Sequence, residues 1–322
     1  MAPMELSQES MVVAEGLCKD YRTTPDALAG VSLSIPRGTV MGLLGSNGAG
    51  KTTLMRVLTT QLTPDSGRAT VAGFDIIRQP HEIRRRIGVS GQYTALDDQL
   101  TGRENVELFG RLARVGRREL VERAGQLLER FELGPIADHR VRTYSGGTRR
   151  RLDLAICTIA QPQVLFLDEP TAGLDPRGRL LLWAFVRELV ADGVTVLLTS
   201  QYLGEIDALA HQVAVIDRGR VIAEGTPDGL KRQVGGERLE VTLVHPADIS
   251  TALKAVFPYT VGRPNIDASR SRISVGLDGG VKTAAAAIHA LATVHVEVSQ
   301  FALRSPSLEE AFFDLTEQDC RS

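Results

Sequence analysis

Apolar and polar residues alternate along the N-terminal part of this chain. "MVVAEGLCKDY", "LAGVSLSI" and "PRGTVMGLLG" follow the two-residue period around turn signals, which predicts strands over residues 12–40. "TPDSGRATVAGFDI" reads as a turn and a further strand. From about 80 to 160 the period becomes helical, in "HEIRRRIG", "RENVELFGRLARVG", "RRELVERAGQLLERF" and "TRRRLDLAICTIA". "QVLFLDEP" and "VTVLLTS" are short continuous apolar runs, hence buried strands, on either side of the amphipathic "RGRLLLWAFVRELVADG". Trp183 in that helix is expected in the core. "LGEIDALA" is helical, and "QVAVIDRGRVIAEG" is a hairpin turning at Asp217-Arg218-Gly219. Buried strands alternating with helices predict an α/β fold with a mainly parallel sheet covered on both faces.

A boundary is expected near "TPDGLKRQVGGER". Beyond it, "ERLEVTLV", "DISTALKAVF", "SRISVGL", "VKTAAAAIHALATV" and "HVEVSQF" run β, α, β, α, β. "SPSLEEAFFDLT" adds a helix with Ser307 as its N-cap. The expected organisation is a flexible arm over 1–10, a first domain over 11–230 with a helical part at about 93–160, and a small α/β accessory domain over 236–322.

The bulk numbers narrow the class. The 322 residues are 43% hydrophobic and 24% charged, with a net charge of -2. No basic excess points to nucleic acid. Cys18, Cys157 and Cys320 are widely spaced, which suits a reducing compartment better than a disulfide framework or a zinc site. "MAPMELSQES" has no apolar core, so it is not read as a signal peptide. No apolar run approaches the roughly 20 residues of a membrane span. Lysine occurs only at Lys19, Lys51, Lys231, Lys254 and Lys282, so a well-placed one stands out.

Lys51 is well placed. "GLLGSNGAGKTTL" carries Gly45, Ser46, Asn47, Gly48, Ala49 and then Gly50-Lys51-Thr52-Thr53, after an apolar strand and before a helix. This is the G-x-x-x-x-G-K-[ST] phosphate loop in its required setting. Glycines let the backbone turn its N–H groups towards phosphate, and the helix start adds about half a positive charge. Lys51 can neutralise phosphate oxygens, and the Thr52 hydroxyl can bind Mg²⁺. The absence of an N-K-x-D tetrad favours ATP over GTP.

"QVLFLDEPTAGLD" puts Asp168 and Glu169 at the end of a buried strand, where carboxylates are costly unless paired or metal-bound. Asp168 suits an outer Mg²⁺ contact, and Glu169 suits polarisation of an attacking water. In "YSGGTRRRLDLA", Ser145 is an N-cap, Gly146 and Gly147 form a turn, and the exposed helix start is a second anion site. Arg149, Arg150 and Arg151 then oppose the helix dipole by roughly 0.3–1 kcal/mol each. A nearby anion or partner carboxylate would offset this, but simple solvation of the side chains is the expected reading.

These motifs, in this order, resemble the ATP-binding subunit of an ATP-binding-cassette (ABC) transporter, a P-loop NTPase with a mixed sheet and a helical subdomain. "GSNGAGKT" matches Walker A, "VLFLDEP" Walker B, "YSGGT" the signature and "AGLD" the D-loop. Gln92 in "VSGQYTALDDQLTGREN" matches the Q-loop, which implies metal and catalytic contacts. Tyr21 in "LCKDYR" matches the aromatic that stacks on adenine. The match covers roughly residues 11–228. "GQYTALDDQLTGREN", "TSQYLGEID" and "SPSLEEAFFDLT" resemble more narrowly the daunorubicin-resistance type of drug-export ATPase.

The chain departs from the family pattern at Tyr144 and Thr148, around an intact Ser145-Gly146-Gly147. It also carries Gln201 where most members have a histidine on the γ-phosphate. An amide can still donate a hydrogen bond there, though it cannot become charged. Gln201 is therefore read as a γ-phosphate sensor, with a slow or inactive ATPase, or an uninvolved loop residue facing solvent, as the alternatives.

The resemblance implies ATP with Mg²⁺, and catalytic roles for Glu169, Gln201 and Gln92. It implies a head-to-tail pair of identical chains in which Ser145 to Gly147 close on the partner's ATP. It also implies a separate polytopic permease, docked near residues 92–144 on the cytoplasmic side of the membrane, and export of drugs or other hydrophobic compounds. Two competing readings are a soluble ABC ATPase acting on DNA or ribosomes and a nucleotide sensor that does not turn over. The first would need coiled-coil insertions or a second cassette, and the sequence has neither.

Overall fold

The computed structural model describes residues 10–22, 24–91, 95–234, 237–277, 279–304 and 306–319. They divide into two units, at residues 1–226 and 227–322.

In the first unit, β1 (Ser10–Tyr21) and β2 (Thr24–Pro36) pair antiparallel, and β3 (Val40–Leu44) leads into α1 (Lys51–Leu58). β4 (Ser66–Val71), β5 (Phe74–Asp75), α2 (Pro80–Arg84) and β6 (Ile87–Ser90) follow. The helical part holds α3 (Gly102–Leu112), α4 (Arg117–Arg130) and α5 (Gly146–Thr158). The chain then alternates through β7 (Val164–Asp168), α6 (Pro176–Ala191), β8 (Thr195–Thr199), α7 (Leu203–Leu209), β9 (Gln212–Asp217) and β10 (Arg220–Gly225).

Two sheets result. One is antiparallel, in the order β2-β1-β4-β5. The other runs β10-β9-β3-β8-β7-β6 and is parallel except for the β9–β10 hairpin. All residues of β3, β7 and β8 are buried, as their apolar runs require of strands covered on both faces. A single core joins the two sheets through Leu17, Leu33, Ile35, Leu43, Leu54, Phe166 and Leu197. An antiparallel sheet and α1 thus take part in covering a face where the sequence pattern alone suggested helices.

Helix ends follow their capping residues. Thr101 and Glu104 form a capping box at α3, and Asp175 caps α6 by accepting from Gly178 N–H at 2.9 Å. The sequence read residues 80–160 as helical throughout, but Ile87–Ser90 form β6, an edge strand of the parallel sheet paired with β7. The helix expected at "HEIRRRIG" is only the five-residue α2. Trp183, expected in the core, is only half-buried; its Nε1 donates to the buried Glu205 carboxylate at 3.3 Å.

The second unit begins with α8 (Pro227–Val234), a segment that the expected boundary divided. β11 (Arg238–Leu243), α9 (Ile249–Val256), β12 (Thr260–Asp267), β13 (Arg272–Leu277), α10 (Gly280–Thr293), β14 (Val298–Arg304) and α11 (Leu308–Asp319) complete it. Its sheet is antiparallel, in the order β12-β13-β11-β14. β12 was not expected, since Gly262 and Pro264 interrupt its pattern; the pairing register with β13 shifts between Val261 and Asn265. Leu239, Val241, Ile273 and Val275 meet Ala252, Val256, Ala287 and Leu291 in a separate core. Ser307 caps α11 reciprocally with Glu310, whose carboxylate accepts from Ser307 N–H at 2.9 Å.

Candidate nucleotide site

The loop between β3 and α1 is shaped by its glycines. Gly50 has φ +109°, and a side chain there would run into the Ala27 carbonyl at 2.4 Å. Ala49 N–H closes the turn on the Ser46 carbonyl at 3.2 Å. The β9–β10 turn props the loop from behind: Gly219 N–H donates to the Ala49 carbonyl at 3.0 Å, and the Gly219 carbonyl accepts from Ala29 N–H at 2.8 Å.

Lys51, the first residue of α1, is only 8% exposed and donates to the carbonyls of Gly45 and Ser46 at 2.7 and 2.9 Å. Burial lowers its pKa, and the charges of Glu169 and Asp168 oppose that shift. A cavity of about 490 Å³ opens here, lined by Tyr21, Thr24, Ala27, Asn47, Gly48, Gly50, Lys51, Thr52, Thr53, Glu169 and Gln201. Segments spread over more than half the chain thus converge on one place.

Asp168 and Glu169 leave β7 with different environments. Asp168 is buried at 6% exposure. Its Oδ1 accepts from Thr199 Oγ1 at 2.5 Å, and its Oδ2 faces Thr52 Oγ1 at 3.4 Å. These hydroxyl and carboxylate oxygens are the donor type a hard divalent cation takes, alongside phosphate. Glu169 has φ +50°, a left-handed backbone unusual for a residue with a side chain. Its N–H is shared between the Thr199 carbonyl and hydroxyl, both at 3.1 Å. Its carboxylate accepts from Gln201 Nε2 at 2.7 Å, and the same amide nitrogen lies 3.5 Å from Asn47 Oδ1. Gln201 thus faces the carboxylate and the phosphate loop.

Ser145 and Gly146 are exposed at the start of α5, and neither they nor Gly147 line this cavity. Ser145 Oγ accepts from Thr148 N–H at 3.2 Å. Gln92 lies outside the described residues. The preceding Ser90 and Gly91 line a smaller cavity with Thr52, Met55 and Asp168.

The arginines after the signature are not simply solvated. Arg149 pairs with Asp98 at 2.8 Å, and Arg151 reaches the Phe131 carbonyl at 3.1 Å and Glu132 at 3.7 Å. Arg150 is buried against main-chain carbonyls. Specific acceptors, rather than water, offset the helix dipole.

Three contributors were not singled out from sequence: Thr199, Arg150 and Glu205. Thr199 carried a signal, a polar residue ending an apolar strand. Only the strand register, Asp168 opposite Thr199, gives it a role. Glu205 is fully buried on α7, where its carboxylate accepts from Thr171 Oγ1 at 2.9 Å.

Comparison with known proteins agrees with this geometry. The ABC transporter family model matches residues 28–172. The daunorubicin resistance ATP-binding protein DrrA2 of Streptomyces coeruleorubidus is 52% identical over 95% of this chain and 94% of its own length. The daunorubicin/doxorubicin resistance ATP-binding protein DrrA of Streptomyces peucetius is 45% identical, over 95% and 92%. Among solved structures, a dimeric post-hydrolysis state of an ATP-binding cassette bound to ADP and Pi aligns with TM-score 0.60 at 26% identity, covering 67% of this chain and 98% of that one. With near-full-length relatives of this kind and a phosphate loop built into their fold, the chain belongs to the ABC transporter family, as an ATP-binding ATPase subunit of the daunorubicin-resistance type.

Proposed function

We propose that this chain powers export of drugs or related hydrophobic compounds by hydrolysing Mg²⁺-ATP on the cytoplasmic face of a membrane. Its partners would be a second copy of itself and a separate polytopic permease. The observation that carries the catalytic reading is the 2.7 Å contact between Gln201 and Glu169 at the wall of the phosphate-loop cavity.

Lys51 and the loop N–H groups would hold the phosphates, and Tyr21 would stack on adenine. Thr52 and Asp168 would hold Mg²⁺, with Gln92 as a further contact. The ion would neutralise charge on the phosphates. Glu169 would accept a proton from the attacking water through the carboxylate oxygen that Gln201 leaves open. A primary amide has two N–H groups, so Gln201 can orient Glu169 with one and donate to the γ-phosphate with the other.

The exposed helix start at Ser145-Gly146-Gly147 cannot serve its own chain's cavity, and a head-to-tail pair would give it the partner's γ-phosphate. The dimeric cassette among the similar structures supports this arrangement. Among the described residues no helix is long and apolar enough to cross a membrane, so the translocation path would belong to another chain. A groove of about 590 Å³ supports a docking place for it. Leu96, Phe109, Leu112 and Ile156 provide an apolar floor, and His81, Arg84, Arg85 and Arg114 a basic rim. The names of the relatives are what support drugs as cargo.

The test is capture of the Glu169→Gln chain from native membranes with and without ATP. The captured membrane protein is then reconstituted with wild-type chain in vesicles, and ATP-dependent movement of daunorubicin is followed. Co-purification of one polytopic protein and drug movement are expected. Recovery of soluble partners alone would overturn the reading.

A further inference from the structure

We propose that Arg150 is a positioning residue for hydrolysis, tying the start of α5 to the backbone of the Glu169 turn and to Gly91. The inference rests on the reading of Glu169 as the group that activates water.

The geometry is specific to a guanidinium. Arg150 Nε donates to the Pro170 carbonyl at 3.0 Å. Its Nη2 donates to the carbonyls of Asp168 at 2.8 Å and Glu169 at 3.1 Å. Its Nη1 donates to the Gly91 carbonyl at 2.6 Å, immediately before Gln92. Three consecutive carbonyls of the turn that carries Glu169 therefore converge on one planar fork, together with a fourth from the residue that follows β6.

The turn has reason to need such a clamp. Glu169 is held in the left-handed region at φ +50°, a conformation that persists only where the surroundings fix it. Thr199 fixes the N–H side of this residue, and Arg150 fixes the carbonyl side. Removing either leaves the peptide free to turn and the carboxylate free to swing from Gln201.

Arg150 is also built to remain charged while buried. It is 6% exposed, with Asp153 as its carboxylate neighbour at 3.6 Å. Asp153 is in turn held at 2.6 Å by the Oγ of Ser90, the last residue of β6 and the one before the Gly91 contact. α5 is a continuous helix from Gly146 to Thr158, so Ser145 and Arg150 lie about 7.5 Å apart along one stiff element. Displacement of the signature end by a partner's nucleotide therefore reaches the Glu169 turn through a single side chain. A lysine cannot reproduce this, since a tetrahedral ammonium lacks the planar fork that serves all of these carbonyls.

The experiment uses the full-length chain as wild type, Arg150→Lys, Arg150→Gln and Glu169→Gln. Phosphate release gives kcat and KM, a fluorescent ATP analogue gives nucleotide affinity, and thermal unfolding gives the folded fraction. Arg150→Lys is expected to lose about 100-fold in kcat, as for a catalytic group displaced by about an ångström. Nucleotide affinity and KM are expected to stay at wild-type values.

Wild-type kcat in folded Arg150→Lys and Arg150→Gln overturns the proposal. A loss of kcat matched by equal losses in affinity and folded fraction also overturns it, because that is the signature of a structural staple. Should both Arg150 variants fail to fold, Asp153→Asn, which keeps shape and removes only the neighbouring charge, takes their place. A fall in kcat at constant affinity then supports the proposal, and an unchanged kcat overturns it. Failure of Glu169→Gln to slow hydrolysis overturns the reading of Glu169 itself. Slow Glu169→Gln beside fast, folded Arg150 variants overturns only the role of Arg150.

Discussion

Gln201 Nε2 lies 2.7 Å from Glu169 Oε1, linking the second residue past β8 to the residue after β7. Asn47 Oδ1, the other neighbour of that nitrogen, is also an acceptor, so the donor end of the amide faces the site. Gln201→Ala removes the donor without altering the phosphate loop. It is expected to lower kcat about 100-fold, the usual cost of one transition-state donor. KM should move far less. Gln201→His should retain turnover and acquire a pH dependence near the imidazole pKa of about 6.5, which the wild type lacks at this position. Phosphate-release kinetics across neutral pH read both effects. An Ala variant as fast as wild type would make Gln201 an ordinary loop residue.

Thr199 serves both carboxylate-bearing residues. Its hydroxyl donates to Asp168 Oδ1 at 2.5 Å and accepts from Glu169 N–H at 3.1 Å. Thr199→Val keeps the shape and leaves a buried carboxylate oxygen short of a donor. Such a loss costs about 1–3 kcal/mol of stability. Urea unfolding should show that drop, and Thr199→Ser should restore most of it. A Val variant as stable as wild type would mean that water replaces the hydroxyl.

Gly219 lies outside every nucleotide motif yet supports the phosphate loop. It has φ +74°, and a Cβ would meet the Asp26 carbonyl at 2.3 Å. Gly219→Ala therefore combines an unfavourable backbone with a clash against main chain. A loss of roughly 2–3 kcal/mol is expected. Nucleotide affinity should weaken with it, because the Gly219 N–H props Ala49. Isothermal titration with ATP, set beside thermal unfolding, checks both. Undiminished affinity would show that the loop holds its shape without the hairpin.

What the sequence disclosed, and what it did not, follows from the range of each interaction. The phosphate loop is contiguous, so Gly45 to Thr53 were legible as one unit, and β3, β7 and β8 were legible as buried apolar runs. β6 was not, because four residues that follow a run of arginines acquire strand character only by pairing with β7. β12 escaped notice because Gly262 and Pro264 break its period. Arg150 lay in plain view in "TRRRLDLA", but periodicity cannot say which of three adjacent arginines turns inward. Thr199 and Glu205 depend on register and on packing between α6 and α7, which no local pattern records. Gln201 could be narrowed to solvent or phosphate. Its contact with Glu169 required the parallel neighbours β7 and β8 to end side by side.

Glu205 supplies a pH dependence with a definite sign. Burial pushes its pKa above the free glutamate value of 4.5, and hydrogen bonds from Ser200, Thr171 and Trp183, with the Arg179 charge, offset this only in part. The folded state therefore keeps the proton to higher pH than the unfolded chain. Below about 4.5 both states are protonated and this group's contribution is fully present. As pH rises from there through the folded-state pKa, the native state binds more protons than the unfolded one, and stability falls. Glu205→Gln is close in shape and cannot ionise, so it escapes that fall. Its stability relative to wild type should rise across the window by about 1.4 kcal/mol for each unit by which the folded pKa exceeds the unfolded one. Urea unfolding of both proteins at a series of pH values measures the difference. A constant difference from pH 4.5 upward would show that Glu205 titrates alike in both states, and that water reaches a carboxylate which the fold encloses.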